Sequence, residues 1–480
     1  MTTTAEPSGP DATWSHTTIA ATPAAPPHRV HVVPRWWRDA TGALTWLSML
    51  VVVALWVHGG GLHDLTGLAA GLTSLGRVTA LVASDLLLVQ VLLMARLPWV
   101  EQSYGQDELA RRHRLVGFWS FNLMVVHVVL ITLGYAATAR TGVLAEAWDL
   151  VVTYPGMLLA LAGSLLLVLV TVTSIRLARR RLRYESWHLL HLYAYLGVGL
   201  ALPHQLWNGQ EFLTSPVATL YWWSLWIAAA GAVLVWRVGV PLYRTLTHDL
   251  RVVAVTREGH DAVTVTMRGR RLHRLPVSAG QFFTWRFLDG PGWTRGHPYS
   301  LSAAPTGDTL RITVKDLGDG SGGLRRVRVG TRVAIEGPYG RLHAGVRTRP
   351  GVLLLASGIG VTPLRGLLEA LPQGPGDVTL VYRARNTASL VLEREIEALA
   401  AERGARVVYV LGSRMKGRSS WLPHSAGSVT DVDALRELVP DVAERDVYLC
   451  GSGEWMDAAH EAARGAGVPE QAIHEERFSW

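Results

Sequence analysis

The chain has 480 residues, 49% of them hydrophobic, and a formal net charge of +8 carried almost wholly by arginine, with lysine only at Lys315 and Lys416. A single cysteine, Cys450, excludes internal disulfides, cysteine-rich zinc sites, iron–sulfur clusters and a C-x-x-C-H haem attachment motif. A basic balance can signal nucleic acid, but many of these arginines flank apolar runs, so membrane topology accounts for them and no nucleic-acid partner is expected.

The first 40 residues are rich in Thr, Ala and Pro and hold no apolar stretch. They are expected to form a disordered cytoplasmic tail rather than a signal peptide. Six apolar runs follow, near 43–58, 76–97, 115–135, 154–175, 187–203 and 218–240. A bilayer core takes roughly 20 apolar residues per helix, so each run is a candidate membrane span. Trp46 and Trp56 flank the short first run as interfacial aromatics do. One side of the bundle collects Arg29, Arg35, Arg38, Arg96, Arg111, Arg112, Arg114, Arg176, Arg179, Arg180, Arg181, Arg183, Arg237 and Arg244, whereas the other offers Arg77 and Arg140. Excess positive charge stays inside, which predicts a multi-pass protein of the cell membrane, embedded in lipid, with both termini cytoplasmic.

After Pro241 the pattern changes. Alternating segments at 250–256, 262–267, 281–287, 310–314 and 332–336, with turn residues between them, read as a small antiparallel β-barrel. From about 350, strands at 352–356, 378–382, 406–411 and 446–449 alternate with helical stretches from Pro363 and over 390–402, which predicts a parallel sheet. The predicted fold is a six-helix membrane bundle over 41–242, an antiparallel barrel over 246–347 and an α/β nucleotide-binding domain over 350–480.

Four histidines lie inside the apolar runs, His113 and His127 on the third and His191 and His204 on the fifth. Ionisable groups at membrane depth are expensive and mark function by default. Along a helix the two pairs are separated by roughly 21 Å and about 20 Å. Two helices so equipped can clamp two stacked haems, His113 with His191 toward the inside and His127 with His204 toward the outside. Fourteen residues return to within about 40° of the starting face, but thirteen leave about 140° on a straight helix. Pro203, Gly197 and Gly199 are the residues able to bend the fifth helix and absorb that offset. His188 is expected at the interface, and His58 and His63 in an outward loop. Arg77 and Asp85 on the second helix fit either a cofactor or acceptor contact or plain helix packing.

The spacing of His113 and His127, with W-H-L-L-H-L-Y-A-Y at 187–195, resembles the ferric reductase transmembrane domain of NADPH oxidases and ferric-chelate reductases. The resemblance extends over all but the tail. It implies six helices, two b-type haems on the third and fifth, and a cytoplasmic FAD- and NADPH-binding reductase.

The segment G-H-P-Y-S-L-S at 296–302 resembles the flavin strand of the ferredoxin–NADP reductase superfamily, with His297-Pro298 as in its membrane members. The resemblance implies that Tyr299 packs on the flavin and that Ser300 approaches its reactive edge. V-K-D-L-G-D-G-S-G-G-L follows at 314–324, where Lys315, Ser321, Gly322, Gly323 and Leu324 would face the FAD pyrophosphate at a helix start. E-G-P-Y-G at 336–340 closes the barrel as in that superfamily.

The strand at 352–356 runs into S-G-I-G-V-T-P, where Gly358, Gly360, Thr362 and Pro363 make a pyrophosphate turn that departs from the six-residue Rossmann fingerprint. The next strand ends Y-R-A-R-N, with Arg383 and Arg385 where an NADH site would want a carboxylate; this favours the 2′-phosphate of NADPH, with Arg414 assisting. The resemblance sets Cys450 and Gly451 beside the nicotinamide, although Ser452 stands where Pro is usual. It also implies an aromatic over the flavin, either Phe478 or Trp480.

These residues point to an NADPH oxidase or ferric reductase: NADPH to FAD, then two haems, then an acceptor across the membrane. The outward connections, 58–75, 136–154 and 206–216, are short and hold no carboxylate cluster, so oxygen is the expected acceptor ahead of a ferric chelate, and no obligate protein partner is evident. The rival readings are a membrane electron relay to a protein and a six-helix transporter with a regulatory nucleotide domain.

Overall fold

A computed structural model describes residues 15–17, 36–179, 181–182, 184–259, 261–290, 293–316, 322–372, 374 and 376–477. The chain divides into two compact units, Val33–Val240 and Pro241–Trp480 together with Met1–Val32.

The first unit is all helical: α1 (Trp36–His58), α2 (Leu68–Met94), α3 (Pro98–Tyr104), α4 (Gln106–Ala139), α5 (Val143–Thr153), α6 (Met157–Ser174), α7 (Arg176–Arg179), α8 (Tyr184–Asn208), α9 (Gln210–Thr214) and α10 (Pro216–Ala232). A π-helical segment, Val233–Gly239, carries α10 on into α11 (Val240–His248). Proline opens α3 and α10, where its missing N–H costs nothing. Ser215 caps α10 by accepting from the Ala218 amide.

Small residues set the packing. A Cβ on Gly76 would meet Ile131 at 2.9 Å and one on Gly134 would meet Thr73 Oγ1 at 2.4 Å, so α2 and α4 lie close together. Gly163 and Gly197 do the same for α6 and α8: a Cβ on Gly163 would lie 2.6 Å from the Gly197 carbonyl oxygen. Lipid gives helices no hydrophobic drive to associate, so close approach of this kind supplies van der Waals contact instead.

Among the described residues, five helices are long and apolar enough to cross a membrane: α1, α2, α4, α6 and the continuous helix Pro216–His248. Six were expected. The fifth expected span is present as the 25-residue α8, but His188, His191, Pro203, His204 and Gln205 interrupt its apolar character. The short helices α3 and α5 lie in connections from which no element was expected.

The second unit holds two six-stranded sheets. The first is antiparallel, in the order β5-β4-β7-β2-β3-β6, with β2 (Leu250–Glu258), β3 (Ala262–Arg268), β4 (Phe282–Phe287), β5 (His297–Ser300), β6 (Thr309–Lys315) and β7 (Arg332–Tyr339). An isolated antiparallel bridge, Leu301↔Ile312, ties the continuation of edge strand β5 to edge strand β6. Val265, Met267, Phe283, Trp285 and Ile312 fill its core.

The second sheet runs β1-β10-β9-β8-β11-β12, with β8 (Val352–Ser357), β9 (Val378–Ala384), β10 (Arg406–Leu411), β11 (Asp446–Gly451) and β12 (Ile473–Arg477) all parallel. Successive residues of β8 serve opposite faces: Leu353 and Leu355 join one core, Val352, Leu354 and Ala356 the other. Both faces are covered, which is why the strands are continuously apolar. β1 (Ser15–Thr17) pairs antiparallel with β10. This strand, and the start of α1 at Trp36, fall within the 40 residues expected to be a disordered tail.

Candidate functional site

In the helical unit, His113 on α4 and His191 on α8 face each other with ring centroids 5.9 Å apart. Two metal–nitrogen bonds of about 2.0–2.1 Å plus the two ring radii span about 6 Å, so the gap suits one metal ion between the rings. His127 and His204 form the second pair as electrostatic neighbours. The pairing is therefore the one that the spacing suggested, and the residual turn of about 140° on α8 does not prevent it.

The second ring nitrogens are mostly engaged. Nδ1 of His127 lies 2.9 Å from the Gly76 carbonyl, Nδ1 of His113 3.4 Å from that of Gln90, and Nδ1 of His191 3.3 Å from Ser174 Oγ. An Nδ1 donor bond of this kind fixes the tautomer and leaves Nε2 as a ligand. Nδ1 of His204 is buried and lacks a hydrogen bond of ordinary geometry. Among the described residues no group of three or more His, Cys, Asp or Glu could hold a metal ion by itself. Each pair brings two imidazoles together, and an iron carrying its own planar ring would need just two protein ligands.

The polar groups of α2 resolve into packing contacts. Arg77 pairs with Asp64 at 3.0 Å and Glu211 at 2.7 Å. Asp85, fully buried, accepts from Ser48 at 2.6 Å and Tyr221 at 2.7 Å, joining α1, α2 and α10.

In the second unit, β5 presents His297, Pro298, Tyr299 and Ser300. The rings of His297 and Tyr299 are parallel to within 13° at 5.9 Å, and burial pushes the Tyr299 hydroxyl well above its ordinary pKa. Ser300 Oγ is buried and has no hydrogen-bond partner among the described residues, an open donor on the strand expected to edge a flavin. Lys315 pairs with Asp261 at 2.9 Å. Gly323 and Leu324 open a short 3-10 turn, Gly323–Arg326, behind Gly322, with the Leu324 side chain in the core of the antiparallel sheet. Ser321, Phe478 and Trp480 lie outside the described residues.

The parallel sheet reverses direction of winding at β8, between β9 and β11. Ligands bind at the carboxyl ends of strands at such a switch point. Gly358, with φ +56°, turns the chain out of β8, and the helix Val361–Ala370 begins three residues later with Thr362 and Pro363 in its first turn. A Cβ on Gly360 would sit 2.2 Å from the Cys450 carbonyl oxygen. The glycine turn thus rests directly on the end of β11, where Gly451 is pressed against Trp455. Cys450 is fully buried, and burial together with Glu476 pushes its thiol pKa well up, so it is a neutral thiol. Glu476, its register partner on β12, was not singled out in the sequence. The signal was strand register, which no single-chain motif carries.

Arg383 is held against the sheet backbone. It is 7% exposed, and its guanidinium donates to the carbonyls of Ala384, of Val410 at 3.4 Å and of Ser413 at 3.1 Å. Burial and the nearby Arg414 lower its pKa to about 10. Arg385 is exposed, and Arg414 is 67% exposed beside Glu454 and Ser452. These two are the solvent-facing cations of the set.

Comparison with known proteins agrees with this division. Residues 79–202 match the ferric reductase like transmembrane component, a stretch that takes in His113, His127 and His191 and stops short of His204. Residues 354–461 match the oxidoreductase NAD-binding domain. The ferredoxin reductase component of 3-ketosteroid-9-alpha-monooxygenase from Mycolicibacterium smegmatis is 32% identical over 240 residues, 48% of this chain and 65% of that one. The glycine betaine monooxygenase reductase subunit of Chromohalobacter salexigens is 29% identical, over 48% of this chain and 64% of the relative. A flavohemoprotein of Xylella fastidiosa is 31% identical, over 42% and 51%. The chain thus spans about two thirds or less of the length of these relatives.

The fold and these matches define a membrane oxidoreductase. The chain joins a ferric reductase-like transmembrane domain to an FAD- and NAD-binding module of the ferredoxin-reductase type.

Proposed function

We propose that the chain is a transmembrane NADPH oxidase. In this reading NADPH and FAD bind in the second unit, two b-type haems lie between His113 and His191 and between His127 and His204, and oxygen is reduced to superoxide. The facing pair of His113 and His191, on separate helices at membrane depth, carries the proposal. FAD and haem, when bound, supply the exchange between a two-electron donor and one-electron carriers. Everything else is positioning by the chain.

Ser300 offers its unpartnered hydroxyl at the flavin strand, and Tyr299 offers a buried ring. Gly358 and Gly360 bring backbone N–H groups and a helix N-terminus to the dinucleotide pyrophosphate. Arg385 and Arg414 would take the 2′-phosphate. His113 with His191 and His127 with His204 would hold the two haem irons, and a pair of imidazoles engaged in that way would favour outer-sphere electron transfer over oxygen binding at the metal. The bridge Leu301↔Ile312 supports closure of the antiparallel sheet into the expected barrel, and α8 is proposed as the sixth crossing. The arginine distribution supports cytoplasmic termini in the cell membrane. The proposed domains remain a tail over 1–40, a haem domain over 41–242, a FAD domain over 246–347 and an NADPH domain over 350–480.

Purified protein should contain two haems and one FAD and reduce cytochrome c with NADPH in a reaction that superoxide dismutase abolishes. A dismutase-insensitive rate with fast anaerobic reduction of ferric chelates would replace oxygen by ferric iron. A second reading, relay to a protein acceptor, is favoured by relatives that are reductase components of monooxygenases. It predicts a rate that rises sharply on adding soluble extract.

A further inference from the structure

The flavin strand and the nucleotide turn belong to different sheets, yet hydride transfer requires their ligands to meet at a fixed distance and angle. Near-attack placement is worth several orders of magnitude in rate, and small displacements are costly. What holds the two sheets in register is visible directly behind β5.

Ser302, fully buried, continues the strand that carries Tyr299 and Ser300. Its carbonyl accepts from Arg311 on β6 at 2.9 Å and from Arg365 at 3.3 Å. Arg365 lies on the helix Val361–Ala370, which begins at the nucleotide turn, and is 7% exposed. It pairs with Glu369 one turn on and with Glu395 at 3.1 Å. Glu395, from the helix Glu393–Arg403, also takes both forks of Arg311, at 3.0 and 2.8 Å. Glu369 in turn accepts from the Ala304 amide at 2.8 Å. On the same helix a Cβ on Gly366 would lie 3.4 Å from the Leu301 carbonyl oxygen, so backbone packs almost on backbone.

Two arginines and two glutamates therefore form a charge-balanced cluster that binds β6, the flavin-strand extension and two helices of the parallel sheet. Bidentate arginine–carboxylate pairs fix direction as well as distance. A half-buried cluster of this kind is a weak source of stability, because desolvation offsets the attraction, but it specifies one arrangement.

We propose that Arg365 is a positioning residue for hydride transfer: with Arg311 and Glu395 it locks the nucleotide helix to the flavin strand. This rests on the FAD and NADPH reading above. In the reaction, the C4–H bond of the nicotinamide breaks, and its electron pair and hydrogen pass to the flavin N5; oxidised nicotinamide and reduced flavin result. Arg365 touches neither ligand and acts through the backbone at Ser302.

The test uses full-length protein loaded with FAD, with Arg365→Lys, Arg365→Ala and Glu395→Gln beside the wild type. FAD content, NADPH affinity, the limiting rate of anaerobic flavin reduction and the long-wavelength charge-transfer absorbance of the nicotinamide–flavin complex are measured. Arg365→Lys and Glu395→Gln are expected to keep FAD and to bind NADPH within about threefold of wild type. Their limiting rate should fall at least tenfold and their charge-transfer band should weaken. A wild-type rate and band in both variants, whatever happens to melting temperature, overturns the positioning role. Should Arg365→Ala fail to fold, the other two variants still decide the matter. A wild-type protein that binds no FAD overturns the underlying reading and the lock with it, whereas normal wild-type reduction with unchanged variants overturns the lock alone.

Discussion

At the scale of single residues, the four membrane histidines and the arginines of the nucleotide strand illustrate opposite degrees of legibility. Substituting His127 or His204 by Ala is expected to remove one haem while flavin reduction by NADPH stays nearly intact, since the reductase motifs all follow residue 245. Haem content by pyridine haemochrome checks this, and two haems retained in either variant would end the assignment. The His113–His191 pairing was readable because helical rise and turn convert sequence spacing into position. The direction of the Arg383 guanidinium was not readable, because nothing in Y-R-A-R-N tells which way a strand-end side chain turns. With its donors on the carbonyls of Val410 and Ser413, Arg383→Ala should destabilise the sheet without changing cofactor preference. Arg385→Ala with Arg414→Ala should instead cost about 1.5–3 kcal/mol, roughly 10- to 150-fold, in NADPH affinity and leave NADH binding alone. Dissociation constants for both nucleotides distinguish the two sets.

At the scale of elements, what folds by periodicity was foreseen and what folds by contact was not. Strands β8, β9, β10 and β11 appear within a residue or two of their expected bounds because both faces are buried and their residues are largely apolar, whereas the polar edge strand β12 was not expected. Helix α8 is less legible, since each polar group along it, His188, His191, His204 and Gln205 among them, lowers its resemblance to a membrane span. Glu476 joins Cys450 only through the pairing of β11 with β12, a long-range register that local pattern does not encode. The glycine turn yields a sharp expectation. An alanine at Gly360 sets its Cβ against the Cys450 carbonyl, and such overpacking costs about 1–3 kcal/mol. Gly360→Ala should lower the temperature of FAD release and weaken nucleotide binding, whereas Gly358→Ala, with nothing within 4 Å, should suffer only the strain of a positive φ. Equal effects from the two would argue against the close approach.

At the scale of the whole molecule, acid should loosen the second unit before it reaches the carboxylates. Burial, with Arg341 and His474 nearby, lowers His343 to about 4. Between pH 6.5 and about 4 the unfolded chain takes up this proton and the folded one does not, so stability declines as pH falls through that window, by at most about 3 kcal/mol. Asp446 acts lower down. Burial alone would raise it, but hydrogen bonds from His474 and from the Thr348 and Arg349 amides outweigh that and hold it below the usual range. Its contribution is present above about pH 4 and is lost below. Denaturant midpoints at pH 7.5 and 5 should differ in the wild type and draw together in His343→Gln.

Strand β1 carries a further consequence, one of parity. Because Ser15–Thr17 is hydrogen-bonded to β10, that strand and the parallel sheet must share a compartment. Any excursion between Thr17 and Leu250 can then traverse a bilayer only an even number of times. Five apolar helices make an odd count, and the proposed crossing by α8 restores evenness. A reporter ahead of Ser15 and another behind Arg477 should therefore be reached by impermeant reagent together or not at all. Reporters on opposite faces would mean that α8 does not cross, or that this strand leaves its sheet in the membrane-bound protein.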